Sequence, residues 1–578
     1  MAEATTLQRS TSMVTDSSYS TDVDKEKGGV RHVDIPAAIE EADETNNVGY
    51  TVYKKGLNHS EITPSQNRSI RWKIDLIILP IFLITQTLQF LDKTALNYAN
   101  LFGFQAELNL HGDQFNWLGG MVYFGYAIAQ YPAQILIGKY PAQRVLSCAV
   151  FIWGLCVLTM VWCTNFRTAM VNRFFLGIFE AFVSPCLTLM TGWWYTRHEL
   201  PLRQFIWYSG LGWGGLIGSY VSTGISAISD HHTGPEKWQY IFYILGSVTM
   251  AWAIAVFFLL PDSPASAHFL SPEYRVLAVQ RVAGNQLGIK NRKFKKEQML
   301  VSTTDPKIII LFISVFAAAI PNGVVSNFSS IIIKDMGFST TKTTVLKSVG
   351  DMVQIAALII GGVITLNVRN SRVMAATAAN IICVVSAACM AYLPREHVWQ
   401  RLVSFWLVNC QSVGFSVGLV MVSSNMGGYT HRASNVELND AEFSGVSMSL
   451  LKGKSTAYCF GNVAGPFVVK QSQAPFYVSQ SRISTLYAAY AALHQQSATA
   501  GLLAGYSIKL ACQIMLFIYM FGFNKHRDRV YGPPDIVKSK EAGMQDKTEW
   551  ENTDFRYDAL LTWIQAFSTI AIARQSDR

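Results

Sequence analysis

Charge is what this chain has least of. Only 15% of its 578 residues are Asp, Glu, Lys or Arg, against about 25% in soluble globular proteins. Half of the residues are hydrophobic, and mean hydropathy is +0.22. This scarcity excludes a soluble multi-domain enzyme, and the apolar content excludes a disordered or collagen-like chain. Paired cysteines are lacking too. The nine cysteines fall in apolar stretches, with no CxxC and no paired loop positions. A disulfide framework or zinc site is therefore not expected, and the cysteines read as small packing residues. No solvated basic face with interleaved aromatics is present, so nucleic acid is not an expected partner.

The few charges are unevenly placed. Residues 1–69 hold 7 basic and 11 acidic residues, and residues 524–578 hold 9 of each. Residues 70–523 hold 31 basic and 18 acidic, so the excess lies among the apolar segments. That pattern fits cytoplasmic loops facing anionic lipid, and an anionic substrate. Residues 1–69 carry no signal-peptide pattern and read as a disordered cytoplasmic tail.

Long apolar runs are what the chain does have. Spans of about 20 apolar residues are expected near 74–93, 115–136, 145–164, 168–190, 204–226, 239–261, 307–330, 343–365, 372–393, 399–424, 454–470 and 501–523. The eleventh is short. A polar linker, 262–306, separates the first six from the last six. The expected organisation is an N-tail (1–69), a six-helix bundle (70–261), a cytoplasmic linker (262–306), a second six-helix bundle (307–523) and a C-tail (524–578). Two such halves point to a transporter. The linker is rich in Lys and Arg, whereas 94–114 has neither. Both termini are thus expected in the cytoplasm. Arg395 and Arg401 run against that bias. Gly210, Gly212 and Gly215 match GxGxxG, but no strand precedes them. Close helix packing is the better reading of this pattern and of the Gly214–Gly218 spacing.

Charges inside spans are costly, roughly 2.5–3.5 kcal/mol each at a helix centre, and so mark function or pairing. Asp92 and Lys93 stand near the end of the first expected span, and Arg173 and Glu180 in the fourth. Arg173 and Glu180 share a face but lie about 10.5 Å apart along the axis. Each therefore needs another partner or a water-filled cavity. A Glu facing a cavity suits proton coupling, and a buried Arg or Lys suits a carboxylate. Lys347, Asp351 and Gln354 share a face of the eighth span, with Lys347 and Asp351 read as a local pair. Asn322, Asn327, Asn409, Gln411 and Asn462 are candidate cavity-lining amides. Lys470 and Lys509 are expected to snorkel from span ends.

These residues sit in motifs that resemble the anion:cation symporter branch of the major facilitator superfamily, and its fungal allantoate-permease-like members. The motifs include FLDKTALNYAN at 90–100, FNWLGGMVYFGYAIAQYPAQ at 115–134 and NRFFLGIFEAFVSPC at 172–186. LLPDSPASAHFLSPEYR at 259–275, NQLGIKN at 285–291, GFSTTKTTVL at 337–346, GNVAGP at 461–466, QAPFY at 473–477 and DKTEWENTDFRY at 546–557 complete them. The resemblance implies an all-α integral membrane protein with 12 transmembrane helices in two six-helix bundles. It also implies rocker-switch uptake of a small organic anion, driven by the proton gradient with no cofactor. It assigns proton coupling to Asp92 and Glu180, and anion binding to Lys93 and Arg173. A monomer in the plasma membrane, with both termini cytoplasmic, is expected. GKYPAQR at 138–144 departs from the superfamily's acidic-basic loop pattern.

The last third is irregular, with polar inserts near 433–453 and 478–500 and an extension at 558–578. These segments raise the alternative of a non-functional or regulatory transporter-like product. A sensor would need a signalling motif that the tails lack. An enzyme would need a nucleophile–base pair or metal cluster, for which His231-His232 and His198-Glu199 are the only hints. A drug or metabolite exporter is the remaining alternative, disfavoured by the intramembrane cations.

Overall fold

The computed structural model describes residues 62–196, 199–228, 234–283, 305–367, 372–394, 396–425, 454–468, 497–535 and 550–556. All of them belong to one compact unit, Asn46–Arg578. Lys470, His198, His231, His232, Arg395 and residues 433–453, 478–496 and 558–578 lie outside the described residues.

Helices account for the architecture, and no strand occurs among the described residues. In the first half, α1 is Pro64–Leu101, α2 Gln114–Lys139, α3 Ala142–Thr159, α4 Phe166–Trp194, α5 the pair Leu200–Tyr208 and Gly210–Ser226, and α6 Lys237–Leu259. In the second, α7 is Pro306–Asp335, α8 Thr340–Asn367, α9 Arg372–Tyr392, α10 the pair Val398–Leu407 and Gln411–Asn425, α11 Lys454–Val468 and α12 Ser497–Tyr531. Eight of the described helices are long and apolar enough to cross a membrane.

Local chemistry sets several of the helix ends. Thr63 and Gln66 form a capping box ahead of Pro64, so α1 starts inside the stretch expected to be disordered. Asn165 accepts the Thr168 amide at 3.0 Å to start α4, and Asp305 accepts the Lys307 amide at 2.9 Å to start α7. A residue distant in sequence caps α3: the Asp262 carboxylate accepts the Ala142 amide at 2.7 Å. Asp262 belongs to the polar linker, which continues into a helix, Pro272–Ala283. Arg281 on that helix pairs with Glu199 in the approach to α5.

Side-chain polarity is inverted relative to a soluble protein. Leu76, Phe258, Ile359 and Ile518 are more than half exposed, while Asp92, Arg173, Glu180, Lys347 and Asp351 are buried. An apolar exterior around a polar interior is what a lipid solvent selects.

The two halves pack by one scheme. In the first half α1 packs on α5 and α6, α3 on α6 and α4, and α2 on α4. In the second, α7 packs on α11 and α12, and α9 on α12 and α10. Adding six to each helix number maps these pairs onto each other, apart from the α2–α4 pair, whose counterpart α8–α10 makes a smaller contact. The same shift relates two seams between the halves, α5 on α8 and α2 on α11. Glycines permit the tightest approaches. A Cβ on Gly125 or Gly177 would collide with backbone atoms of the facing helix, which holds α2 against α4. The GxGxxG glycines have the expected packing role. Gly210 abuts α1 at Thr87, whereas Gly212 and Gly215 abut α8 at Ile355 and Asp351.

Three helices break within the apolar region. Continuous α4 helix stops at Glu180 and resumes at Val183. Pro185 lacks the amide that would bond Ala181 four residues back. α5 is interrupted at Ser209, and α10 tightens to a 3-10 turn at Val408–Cys410. Glu180 and Asn409, both expected site residues, stand at two of these breaks.

Candidate functional site

The expected end of the first span is not a helix end. α1 continues to Leu101, so Asp92 and Lys93 stand inside it rather than near its end. Hydropathy falls there because Thr94, Asn97 and Tyr98 are polar, yet all three are buried against neighbouring helices. The helix is therefore held by cross-helix partners.

Lys93 and Glu180 form an ion pair, with Nζ 2.9 Å from Oε1. This is the partner that Glu180 needs, and it ties α1 to α4. Around the ammonium stand Tyr126, Tyr123 and Tyr458, their ring centroids 5.3, 5.9 and 5.9 Å from Nζ. An ammonium facing several aromatic rings gains cation–π attraction without losing its capacity for an anion. Two of these rings come from α2 and the third from α11, so both halves contribute.

Asp92 adjoins Lys93 on α1, and Arg173 stands two turns before Glu180 on α4. Asp92, Glu180 and Arg173 are within electrostatic reach of one another. Asp92 Oδ2 accepts the Thr249 hydroxyl at 3.3 Å, while its Oδ1 has no hydrogen-bond partner. The Arg173 guanidinium lies 5.9 Å from the Phe242 ring centroid, and its Nε and Nη2 have no hydrogen-bond partner. Gln89, one turn before Lys93, is buried and faces Glu180. A few buried polar groups in any protein lack partners. Here a guanidinium with free donors and a carboxylate oxygen with a free lone pair stand on the two helices that the ion pair joins.

The amides take different places. Asn322 donates to Asn462 Oδ1 at 2.8 Å, bridging α7 to α11 beside Tyr458. Both therefore border the Lys93 surroundings. Asn327 folds back on the Gly323 carbonyl at 2.9 Å and packs against Gly119 of α2. Asn409 lies elsewhere, in a cleft with Lys347, Asp351, Thr94 and Ser329. Gln411 accepts the Tyr506 hydroxyl at 3.1 Å inside the second half.

Lys347 and Asp351 do form the local pair, at 3.0 Å. Its surroundings were not legible in the sequence. Ser219 of α5 reaches Asp351 Oδ2 at 3.5 Å, and Tyr98 of α1 bonds Ser219 and the Gly215 carbonyl. Three helices from two halves thus meet on this pair. Lys509 is a correction. It does not snorkel, but is 4% exposed within α12 and contacts the Gln411 carbonyl at 3.4 Å. α12 begins at Ser497 and runs to Tyr531, so position 509 is not a span end.

Polar contacts between the halves concentrate at the end where α1 leads into α2. Asn97 donates to the Ser329 and Ser330 hydroxyls, each at 3.0 Å. Thr223 meets Thr344 at 2.7 Å, and Ser226 meets Thr341 at 3.2 Å. Trp117 packs edge-on against Phe467, with centroids 4.9 Å apart. Toward the other end Tyr208 stacks on Phe415, which in turn touches Tyr458. The Lys93 group lies between these two layers.

Sequence reading missed Gln89, Tyr123, Tyr126, Thr249 and Tyr458. Tyr123 and Tyr126 are three apart, and Gln89 and Lys93 four apart, so helical spacing put each pair on one face. That signal identifies faces, but not which helices they meet.

Comparisons with known proteins bear on the family and the fold. The Major Facilitator Superfamily profile matches residues 82–449. An uncharacterized transporter of Schizosaccharomyces pombe, C460.05, is 32% identical over 86% of this chain and 87% of its own length. The allantoate permease of Saccharomyces cerevisiae is 27% identical over 86% of this chain and 87% of its own. The solved structure of the proton:xylose symporter XylE aligns with a TM-score of 0.56 at 13% identity, covering 79% of this chain and 96% of that one. The chain is a multi-pass membrane transporter, not an enzyme, and belongs to the major facilitator superfamily.

Proposed function

We propose that this transporter imports a small organic anion together with protons. The cargo is a carboxylate in the class of allantoate, ureidosuccinate, nicotinate or pantothenate. The observation that carries this reading is the Lys93–Glu180 ion pair, with the unpartnered donors of Arg173 two turns away on α4. A substrate carboxylate competes with Glu180 for Lys93. Once displaced, Glu180 is a buried carboxylate without its counter-charge, and taking up a proton relieves it. Arg173 supplies further donors to the anion, and Asp92 is the second group able to hold a proton. Substrate and proton thereby arrive together, which is the coupling a symporter needs.

Alternating access follows from the layers around the site. The polar ring of Asn97, Ser329, Ser330, Thr223 and Thr344 closes one side, and the Tyr208–Phe415–Tyr458 aromatic layer the other. Opening them in turn moves the halves about the central group. In this reading both termini are cytoplasmic, the polar ring is the external gate, and the protein works as a monomer in the plasma membrane. Asn322 and Asn462 shape the second half's side of the cavity, while Asn327, Asn409 and Gln411 line or brace the path.

Similarity to the allantoate permease supports a carboxylate cargo. The test is an uptake screen with labelled carboxylates in a transport-deficient host. Acid-stimulated uptake of at least one carboxylate is the expected result. Uptake of neutral or cationic solutes alone would contradict the proposal.

A further inference from the structure

Lys93, Lys307 and Lys347, each buried or half-buried, have a carboxylate within ion-pair distance, whereas buried Lys509 has none among the described residues. Lys307 has Asp305 at 3.2 Å and Lys347 has Asp351 at 3.0 Å. Lys93 likewise has Glu180. Lys509 has one carbonyl contact, to Gln411. Among the described residues, the helices around it have no carboxylate to offer. From Pro306 to Phe523 the described helices contain Asp351, already paired, and Asp335 at the last residue of α7. α9, α10 and α11 contain none.

Lys509 also faces a cleft. Its walls come from four helices and are mainly apolar, with Val315 and Ala318 of α7, Ala376 of α9, Val417 of α10 and Leu516 of α12 among them. Gly414 of α10 leaves room at the polar end. A Cβ placed there would lie 3.1 Å from Lys509 Nζ and 3.5 Å from Gln513 Nε2. Two hydrogen-bond donors, one of them the Lys509 amine, therefore converge on one spot at the end of an apolar slot. A cation in such surroundings favours an anion, and the walls favour a hydrocarbon.

We propose that this cleft binds a monocarboxylate with an apolar chain, of the fatty-acid class, its carboxylate on Lys509 and Gln513. The site lies within the second half and is distinct from the group around Lys93 and Glu180. The proposal does not depend on the transported cargo.

The test uses the full chain in nanodiscs of phosphatidylcholine, with a diazirine-bearing fatty acid as probe. Cross-links are expected on cleft residues of α7, α9, α10 or α12. Excess decanoate should suppress them and excess decanol should not. Lys509→Met should reduce them at least tenfold, Lys509→Arg should restore them, and Lys93→Ala should leave them unchanged. Equal competition by decanol, or competition by an anionic phospholipid but not by decanoate, would overturn the assignment. So would full labelling of Lys509→Met. The competition arms need only the unmodified protein, so a poorly folding variant does not remove the test. Failure here would leave carboxylate uptake untouched, and failure of uptake would leave the cross-links in place.

Discussion

The two halves share a packing scheme and differ in chemistry. α1 on α5 and α7 on α11 are equivalent contacts, and each is lined by glycine: Gly210 and Gly214 in one, Gly323, Gly461 and Gly465 in the other. α4 and α10 are equivalent helices, and each breaks in the middle. Yet the break in α4 carries Glu180, facing Lys93 with Asp92 and Arg173 nearby, whereas the break in α10 carries Asn409. The first half concentrates ionisable groups. The second supplies amides and an aromatic ring to the shared cavity, and places the buried Lys347–Asp351 pair at the seam with α5 and α1. A repeated scaffold fixes where helices bend and meet. It does not fix what the side chains at those places do.

That contrast can be broken by substitution. The largest effect is expected for Lys93→Ala, which removes the cation of the site and leaves Glu180 without its partner. Uptake should fall by about a hundredfold or more, while the equivalent-half change Asn322→Ala lowers it by less than about tenfold. Comparable losses for the two would erase the proposed division between the halves. The Lys347–Asp351 pair should behave as a structural one. Asp351→Asn alone is expected to destabilise the purified protein by about 3 kcal/mol, and the double change Lys347→Met, Asp351→Leu by much less. Thermal unfolding checks this, and additive losses would show that the pair does not act as a unit.

Arg173→Lys keeps the charge but removes the planar fork. Apparent affinity for the carboxylate should weaken by roughly tenfold, with maximal rate less affected. An unchanged affinity would take Arg173 out of the anion site. The smallest effect is expected at the scaffold's own polar bridge. Asn322→Ala, which loses the bond to Asn462, should cost about 1 kcal/mol of stability. A loss as large as that of Asp351→Asn would mean that the second half also depends on its buried polar centre.

The long helices among the described residues and their two halves were legible because lipid demands long apolar runs, and those runs survive in the sequence. The limits of each helix were less so. α1 extends past its apolar run to Leu101, because buried Asn97 and Tyr98 bond other helices and no hydropathy window sees those partners. The same gap hid the pairing of Lys93 with Glu180, 87 positions away. Helical spacing exposed the Lys347–Asp351 pair, since both residues lie on one helix. Lys509, expected to snorkel, does not: its helix is 35 residues long, Ser497–Tyr531, and starts four residues before the expected span.

The most direct measurement of the central claim compares proton-driven accumulation with exchange in proteoliposomes, for wild type and Glu180→Gln. A labelled carboxylate from the uptake screen serves as substrate. The account predicts that wild type accumulates the label under an inward proton gradient. Glu180→Gln should still exchange label across the membrane but no longer accumulate it. Gradient-driven accumulation by Glu180→Gln at the wild-type level would contradict the assignment of proton coupling to the Lys93–Glu180 pair.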